Sequence, residues 1–534
     1  MNRRACTVAV LLAVACGDSD GSGGPGGSGG SGGSDDAATP ASTSTTAGSN
    51  ADETSGGADT DSSDTDGSDT GPMLPDTGWR PGDDCLKATH SGSYTVETEE
   101  NLLGIGGLPT ITGSLRVSAA TLADLQWLTC LTTIDGDLQI TWNETLQDLA
   151  GLDNVTAVGG DVRIRHNAAL TSVDTLTGIA FGDVALLVEG NAALGSLAGL
   201  EQFAAATTLD ISNNAALTDI AALEGLAAVS GDVTLTGNPS LTALTGLGSL
   251  STVDGSVTIQ DNDALEGLEG LDALTDVGGA LSIEGNVALT SVNGLGALTS
   301  VAGDLVLSDD PALTDISALA QLTTVGGVLR LRDNTLLPSL DGLGALTSAG
   351  SVDLRDDPAL ADVGGLAALE TVAHLWVINL DALPSLDGLE ALATVNGRVD
   401  LQDNETLASV TALAGLTAVG EDLVLVGNPA LSSLVGLEGL VDISRDLVLT
   451  DNATLPALTD LTGLATIGRR LTITNHANLA DVSELEDVVV DDGAVTVSGN
   501  TGLPQCDAEQ LGDALIANGY NGALTIEDNQ GACP

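Results

Sequence analysis

The sequence predicts a mainly β protein in which about eighteen coils of 24 residues stack as a parallel β-solenoid. Three observations predict this fold. An Asn recurs at a nearly constant spacing, two aliphatic residues that alternate with other residues precede it, and further aliphatic residues follow at every third position. The alternation is typical of a β-strand, whereas a spacing of three fits neither strand nor α-helix. A unit this short cannot bury its own apolar side, so stacked units supply the core.

One column of residues, which we call the Asn column, sets the register of the repeat. Its members are 24 residues apart except at four steps: a coil is one residue shorter before Asn214 and on either side of Asp357, and the last step of 29 residues contains an insertion with a cysteine. The column consists of Asn143, Asn167, Asn191, Asn214, Asn238, Asn262, Asn286, Asp310, Asn334, Asp357, Leu380, Asn404, Asn428, Asn452, His476, Asn500 and Asn529.

Each coil is predicted to contain one parallel strand, followed by short extended or 3₁₀ segments that turn the corners. In one coil, Val162 and Ile164 alternate with Arg163 and Arg165 before Asn167. An inward amide can bond to backbone groups that a tight corner leaves unpaired, so we expect a ladder of Asn side chains. The residue before the column is Gly, Asp or Asn in fifteen of seventeen coils, which predicts a positive φ there. With strands about 4.8 Å apart, the coils form a rod on the order of 80 Å long.

The cysteines outside the leader lie near the two ends of the repeat, where a solenoid needs caps. Of the three possible pairings, only Cys85 with Cys130 and Cys506 with Cys533 avoids bridging opposite ends of the rod. Disulfides indicate an oxidising compartment. Zinc ligation is the alternative, but no CxxC motif or His pair accompanies these cysteines.

Residues 1–16 are predicted to be a secretion signal. Arg3 and Arg4 precede a short apolar run that is too short to span a membrane and that ends at Cys16. This end resembles a bacterial lipoprotein box, which implies that Cys16 is the lipidated first residue of a membrane-anchored mature chain. Ala-Val-Ala before Cys16 also suits ordinary signal cleavage.

Composition divides the remaining chain. Residues 17–84 are rich in Gly, Ser, Asp and Thr and are predicted to be a disordered linker. Residues 85–130 are assigned to an N-terminal cap with the first coils, residues 131–500 to the repeat solenoid and residues 501–534 to a C-terminal cap. Only 1% of the residues are aromatic, so rows of Leu, Val and Ile have to fill a narrow core.

Coils such as residues 131–149 (LTTIDGDLQITWNETLQDL) resemble the receptor L domain of insulin-receptor and EGF-receptor ectodomains. The resemblance covers residues 85–534 and implies a right-handed, leucine-rich β-helix, hence a secreted solenoid that binds a ligand or has a structural role. The chain has far more coils than one L domain. We also expect no cysteine-rich module, no transmembrane helix and no kinase. Hormone signalling is therefore not implied, and a shared fold is weak evidence for activity.

The formal net charge of −61 argues against nucleic acid and anionic membrane surfaces as partners. The expected partner is an extracellular protein or glycan, with membrane contact only through the lipid anchor. Asp309, Asp333 and Asp356 occupy the same corner of successive coils, where calcium could relieve their repulsion. Solvent screening is the alternative, and no other cofactor is expected.

Arginines concentrate on the outward positions of the strands, and two groups of residues are predicted to contact a ligand. Exposed Trp and Arg are typical of binding sites, although Asp residues on the same surface make structural ion pairs a sufficient alternative. The first group is Trp142, Arg163, Arg165 and His166, and the second is Arg330, Arg332, Arg355, Trp376, Ile378 and Arg398.

Catalysis has little support, because no nucleophile lies near a base at a known motif spacing. A polysaccharide-active enzyme remains an alternative, with Asp353 and Asp400 as the paired carboxylates. The sequence therefore predicts a lipid-anchored, extracytoplasmic surface protein with a non-catalytic binding solenoid. A passive spacer or coat protein is the other alternative.

Overall fold

The computed structural model describes residues 76–118, 121–531 and 533. These lie within the unit Ser68–Pro534, the second of two units into which the chain divides. The predicted signal, Cys16 and most of the predicted linker lie outside the described residues. No helix in the described ranges combines the length and apolar character needed to cross a membrane.

The main sheet takes one strand from each coil, and each strand pairs in parallel with that of the next coil, for example Leu235 with Ile259. This arrangement confirms the predicted parallel β-solenoid. The strands are Tyr94–Val96, Leu115–Ser118, Leu138–Thr141, Val162–Arg165, Val184–Glu189, Ala205–Ser212, Val233–Thr236, Val257–Gln260, Leu281–Glu284, Leu305–Ser308, Thr324–Arg332, Ser348–Arg355, Leu375–Ile378, Val399–Gln402, Leu423–Val426, Leu447–Thr450, Leu471–Thr474, Ala494–Ser498 and Ala523–Glu527.

A second set of two-residue strands also pairs from coil to coil. In the coils with strands Ala205–Ser212, Thr324–Arg332 and Ser348–Arg355, one long strand takes part in both sets. The short strands are Thr89–His90, Thr110–Ile111, Thr133–Ile134, Ala157–Val158, Ala180–Phe181, Ala228–Val229, Thr252–Val253, Asp276–Val277, Ser300–Val301, Thr371–Val372, Thr394–Val395, Ala418–Val419, Asp442–Ile443, Thr466–Ile467 and Val489–Val490.

In many coils, the corner that follows the Asn column adopts one of two forms. Gly294 has φ 108°, and a Cβ atom there would lie 1.9 Å from the Leu268 carbonyl oxygen, so this form needs glycine. Coils with Ala222, Ala318 or Ala412 at the equivalent position turn through a 3₁₀ helix. The 3₁₀ helices are Gln126–Leu128, Asp174–Leu176, Ala221–Leu223, Thr245–Leu247, Ser317–Gln321, Gly364–Leu366, Thr411–Gly415 and Ser483–Leu485.

The Asn column forms the predicted ladder. Asn167 donates from its backbone N and its Nδ2 to the Oδ1 atom of Asn191, at 3.1 and 3.0 Å, and its Nδ2 also donates to the carbonyl oxygen of Ile140 at 2.8 Å. Every member of the column is buried. The residue before each member has a positive φ, as predicted. Leu380 has no side-chain amide and takes part in the ladder only through its backbone N–H, which donates to Asn404 Oδ1 at 3.0 Å.

Two α-helices that the sequence analysis did not predict lie in the end regions. The first, Glu99–Ile105, begins at a capping box formed by Thr98 and Asn101. The second, Gln505–Ala517, turns its buried Ala508, Leu511 and Leu515 toward the last coils. The spacing of these apolar residues is helical and was the available signal.

The two predicted cysteine pairings are both present, Cys85 with Cys130 and Cys506 with Cys533. Packing at the N-terminal end begins before Cys85, within the segment that composition places in the linker. Trp79 is only 4% exposed and lies against Gly107, where a Cβ atom would clash with its indole ring. A single large aromatic residue thus overrides the polar composition of its surroundings.

Candidate binding site on the strand face

The strand face is the outward side of the main sheet, and its residues alternate with the core. In the strand Val162–Arg165, Val162 and Ile164 are fully buried, whereas Arg163 and Arg165 are partly exposed. Because successive strands pair in register, equivalent side chains form columns along the solenoid. A ligand on this face meets one row of side chains per coil, about 4.8 Å apart.

A second ladder runs along the edge of the strand face, and the sequence analysis missed it. The Oδ1 atom of Asp137 accepts the backbone N–H of Asp161 at 2.9 Å, and Asp161 Oδ1 accepts that of Ala185 at 2.9 Å. Asp232 and Asp304 make the same bond to the following coil. The recurrence of Asp or Ser just before the first buried strand residue was the available signal. These Asp residues therefore have a structural role besides any pairing with Arg.

Trp142 and His166 occupy the corner position before the Asn column in adjacent coils. Their φ angles are 61° and 55°, in the left-handed region that other coils fill with Gly, Asp or Asn. The two rings stack, with centroids 4.0 Å apart and an interplanar angle of 25°. Trp142 remains 57% exposed. The structure thus brings these two predicted residues together as an exposed aromatic corner.

The arginines near this corner are held by carboxylates. Arg163 contacts Asp137 at 2.9 Å and Asp161 at 2.7 Å, and Arg165 donates from Nε to Glu189 at 2.6 Å. The surface beside Trp142 therefore consists of fixed ion pairs.

The second group of predicted residues lies around Asp353. Arg330 Nε contacts Asp353 Oδ2 at 3.1 Å, and Arg355 Nε contacts the other oxygen of the same carboxylate. Arg332 Nε contacts Asp333 at 2.9 Å and lies 3.7 Å from Asp356. Each of these three guanidiniums is anchored through its Nε atom.

Trp376 is less accessible than Trp142. Its ring stacks on His374 at 4.8 Å and lies 5.5 Å from the guanidinium carbon of Arg355. His374 Nδ1 accepts the N–H of Arg398 at 3.0 Å and so belongs to the edge ladder. Ile378 is partly buried in the same strand. These contacts give Trp376 a packing role within the face.

Asp353 and Asp400 flank Trp376 in one column, as the hydrolase alternative requires. They are only 5% and 3% exposed. Arg398 contacts Asp400 at 2.8 Å, and burial raises the pKa of that carboxyl despite Gln402 and Arg398. Both carboxyl groups are thus covered by side chains of the face, and this geometry does not favour glycoside hydrolysis.

The acidic corner of Asp309, Asp333 and Asp356 has the backbone conformation of the other corners. Burial, followed by the charge of Asp333, raises the pKa of Asp309. Within the described ranges, no three His, Cys, Asp or Glu residues are grouped so that they could hold a metal ion. Asn379 donates from Nδ2 to Asp356 at 2.7 Å, so one of these carboxylates is already bonded within the face.

A small surface pocket lies in the N-terminal end region, away from all predicted site residues. It has a volume of about 350 Å³ and is lined by residues that include Glu99, Leu102, Asp124 and Trp127. None of the predicted site residues lines it.

Two solved structures that resemble the chain are leucine-rich-repeat proteins of bacteria. An internalin of Listeria monocytogenes is 15% identical, with a TM-score of 0.32, and the match covers 70% of this chain and 87% of the internalin. A leucine-rich-repeat protein of Leptospira interrogans is 17% identical, with a TM-score of 0.34, and the match covers 75% and 93%. No protein-family model and no curated protein matches the sequence. The fold assignment rests on the strand pairing described above.

Proposed function

We propose that the protein is a non-catalytic binding solenoid, secreted and held at a membrane by a lipid on Cys16. It takes an extracellular protein or glycan on the strand face, with Trp142 as the main contact residue. The observation that carries the proposal is that Trp142 is 57% exposed while its backbone adopts φ 61°.

The exposed indole is costly in two ways. A bulky residue in the left-handed region is strained, by about 1–3 kcal/mol, and Gly, Asn or Asp would fit the corner better. An exposed Trp also leaves a large apolar surface in water. The stack on His166 covers only part of the ring, so we assign the benefit of this residue to binding.

The surroundings of Trp142 suit a contact site. His166 supports one side of the ring, and Arg165 is fixed by Glu189. Trp and Arg carry most of the binding energy in many interfaces. Their pre-organisation here reduces the entropy that binding would otherwise cost.

The proposed location rests on the sequence of residues 1–16 and on the cysteine pairs. Two disulfides at the ends of the repeat agree with a compartment outside the cytoplasm, where such bonds persist. Anchoring is tested by labelling cells with radioactive palmitate. We expect label on the full chain that Cys16→Ala abolishes, and a larger labelled precursor when globomycin blocks signal cleavage. Secretion of unlabelled protein would contradict the lipid anchor.

The binding site is tested with the full chain on cell-envelope material, separated into protein and polysaccharide fractions. We expect Trp142→Asn to lose most of the capture that the natural chain shows. Leu336→Asn is the matched control, because Leu336 is 55% exposed and lies just after the Asn column at Asn334. Equal capture by all three proteins would contradict the role of Trp142, and no capture by any of them would favour the passive spacer.

A further inference from the structure

Arg330, Arg332 and Arg355 present the same chemical group to solvent. Each uses Nε to contact a carboxylate: Asp353 for Arg330 and Arg355, and Asp333 for Arg332. Their hydrogen bonds to the described part of the chain run through Nε and leave the terminal Nη1 and Nη2 atoms for other acceptors. A planar guanidinium held through Nε still has the Nη1–Nη2 edge, which can bind a carboxylate or sulfate with two parallel hydrogen bonds.

These three groups lie close together on adjacent strands. Arg332 and Arg355 are paired in register, and Arg330 is paired with Asp353. Parallel strands are about 4.8 Å apart, so one anion can meet both members of the Arg332–Arg355 pair. The side chains of Arg330, Arg332 and Arg355 are 40%, 51% and 33% exposed, so the groups are open to a ligand.

We propose that Arg332 and Arg355, assisted by Arg330, form a subsite for the carboxylate or sulfate groups of an acidic polysaccharide. This inference rests on the proposed binding function and names the class of its ligand. The carboxylates of Asp333, Asp353 and Asp356 orient the guanidiniums and balance their charge. The chain has a net charge of −61, but at this subsite the arginines neutralise the neighbouring carboxylates, so an anion is not repelled locally.

An acidic polysaccharide fits this surface better than an acidic protein segment. Protein interfaces are usually centred on apolar anchors in pockets. Here Trp376 is covered by His374 and Arg355, and Val306 is 9% exposed, so the group offers no such anchor. What it does offer is a row of charged donors at strand spacing. A polymer with an acidic group on successive sugars matches that row.

The length of the strand face allows one polymer to reach both sites. The strand Thr324–Arg332 is eight steps along the main sheet from the strand Leu138–Thr141, which Trp142 follows. Eight strand spacings are about 38 Å. A ligand that binds both at Trp142 and at Arg332 would gain affinity, because the second contact forms within the same complex.

The test measures binding of the full chain to oligogalacturonate and to dextran sulfate by calorimetry at about 0.15 M salt, where long-range repulsion is screened. Neutral dextran, inorganic sulfate and poly-glutamate are the comparison ligands. The variant is Arg332→Gln with Arg355→Gln, and Arg445→Gln with Arg470→Gln is the control of equal charge. Arg445 lies 3.7 Å from Glu421 and 3.6 Å from Asp422, in a different part of the face.

We expect one of the two acidic polysaccharides to bind, and the Arg332–Arg355 variant to lose about tenfold or more in affinity, with the control unchanged. Equal loss in the control, binding of inorganic sulfate alone, or preference for poly-glutamate would overturn the proposal. If polysaccharide binding depends on Trp142 but not on the two arginines, this inference fails while the proposed function stands. If it depends on neither, both fail.

Discussion

Asn286 donates two hydrogen bonds to one oxygen of Asp310, from its backbone N at 2.7 Å and from its Nδ2 at 3.3 Å. The other carboxyl oxygen of Asp310 is buried and has no hydrogen-bond partner among the described residues. In coils with Asn, the equivalent atom is the amide nitrogen, as in Asn334, whose Nδ2 donates to the carbonyl oxygen of Leu307 at 2.9 Å. Asp357 likewise accepts the backbone N–H of Asn334 at 2.6 Å and has a buried second oxygen with no partner in the described ranges. A protonated carboxyl can donate from this oxygen as the amide does, whereas a carboxylate cannot.

The stability of the central coils should therefore depend on pH. Burial, more than any other cause, raises the pKa of Asp310 and of Asp357 to about 7, from an ordinary value of 3.8. A raised pKa means that the folded chain holds these protons more strongly. The stability that each of these two groups contributes is then fully present below about pH 4 and is lost as the pH rises through 7. Each group can account for at most about 4 kcal/mol of the free energy of unfolding. Chemical denaturation between pH 4.5 and 8.5 measures this dependence.

Replacing both acids by the consensus residue should remove this dependence. We expect Asp310→Asn with Asp357→Asn to differ least from the natural chain at the low end of this pH range and to be more stable at pH 8, because the amides carry no charge to bury. Asp263→Asn, next to the column but exposed, is the control and should keep the natural slope. An unchanged slope in the double variant would show that other groups cause the dependence.

Trp142→Asn should stabilise the fold while it abolishes binding. Asn adopts the left-handed conformation readily, so the variant relieves strain and should gain about 1 kcal/mol, less what the stack on His166 contributes. Thermal unfolding of the full chain gives the stability. A loss of more than about 1 kcal/mol would instead assign Trp142 a structural role and weaken the proposed function.

Periodicity explains which features the sequence could predict. The Asn column and its positive-φ neighbour follow from local rules, because Gly, Asn and Asp at a fixed position report one backbone conformation. The relative exposure of Trp142 and Trp376 does not follow from such rules. Trp376 is covered by His374, two residues before it, and by Arg355 of the preceding strand. This cover depends on the side-chain conformations of the three residues, which the repeat pattern does not specify.

The helix Gln505–Ala517 shows a second limit. It interrupts the repeat, so the regular spacing of the coils does not predict it, although its apolar residues have a helical spacing. The edge ladder is hidden for a related reason. An outward Asp beside Arg indicates an ion pair, whereas the bond of Asp137 to the backbone N–H of Asp161 joins residues 24 positions apart.

The edge ladder itself can be tested at Asp161. Its Oδ1 accepts the N–H of Ala185 at 2.9 Å, and its Oδ2 contacts Arg163. We expect Asp161→Ala to destabilise the chain by about 1–3 kcal/mol, because a partly buried N–H loses its acceptor. Asp161→Ser should cost less, since Ser256 serves the same purpose for Ala280 at 3.1 Å. Both variants are measured by denaturation. An equal loss in the free energy of unfolding for Ala and Ser would contradict a stabilising role for the ladder.

The disulfides should stabilise the ends of the solenoid and leave its middle unaffected. Cys85 and Cys130 are 45 residues apart in sequence, and a loop of that length corresponds to about 4 kcal/mol of chain entropy. In a repeat protein each coil contacts mainly its neighbours, so loosening one end is not transmitted along the stack. Cys85→Ser with Cys130→Ser should therefore speed amide hydrogen exchange in the first coils, around Val117, while the backbone around Ile259, in the middle of the stack, exchanges as before. Cys506→Ser with Cys533→Ser is the reciprocal control and should act around Val497 only. Faster exchange throughout the chain in either variant would mean that the coils unfold as one cooperative unit.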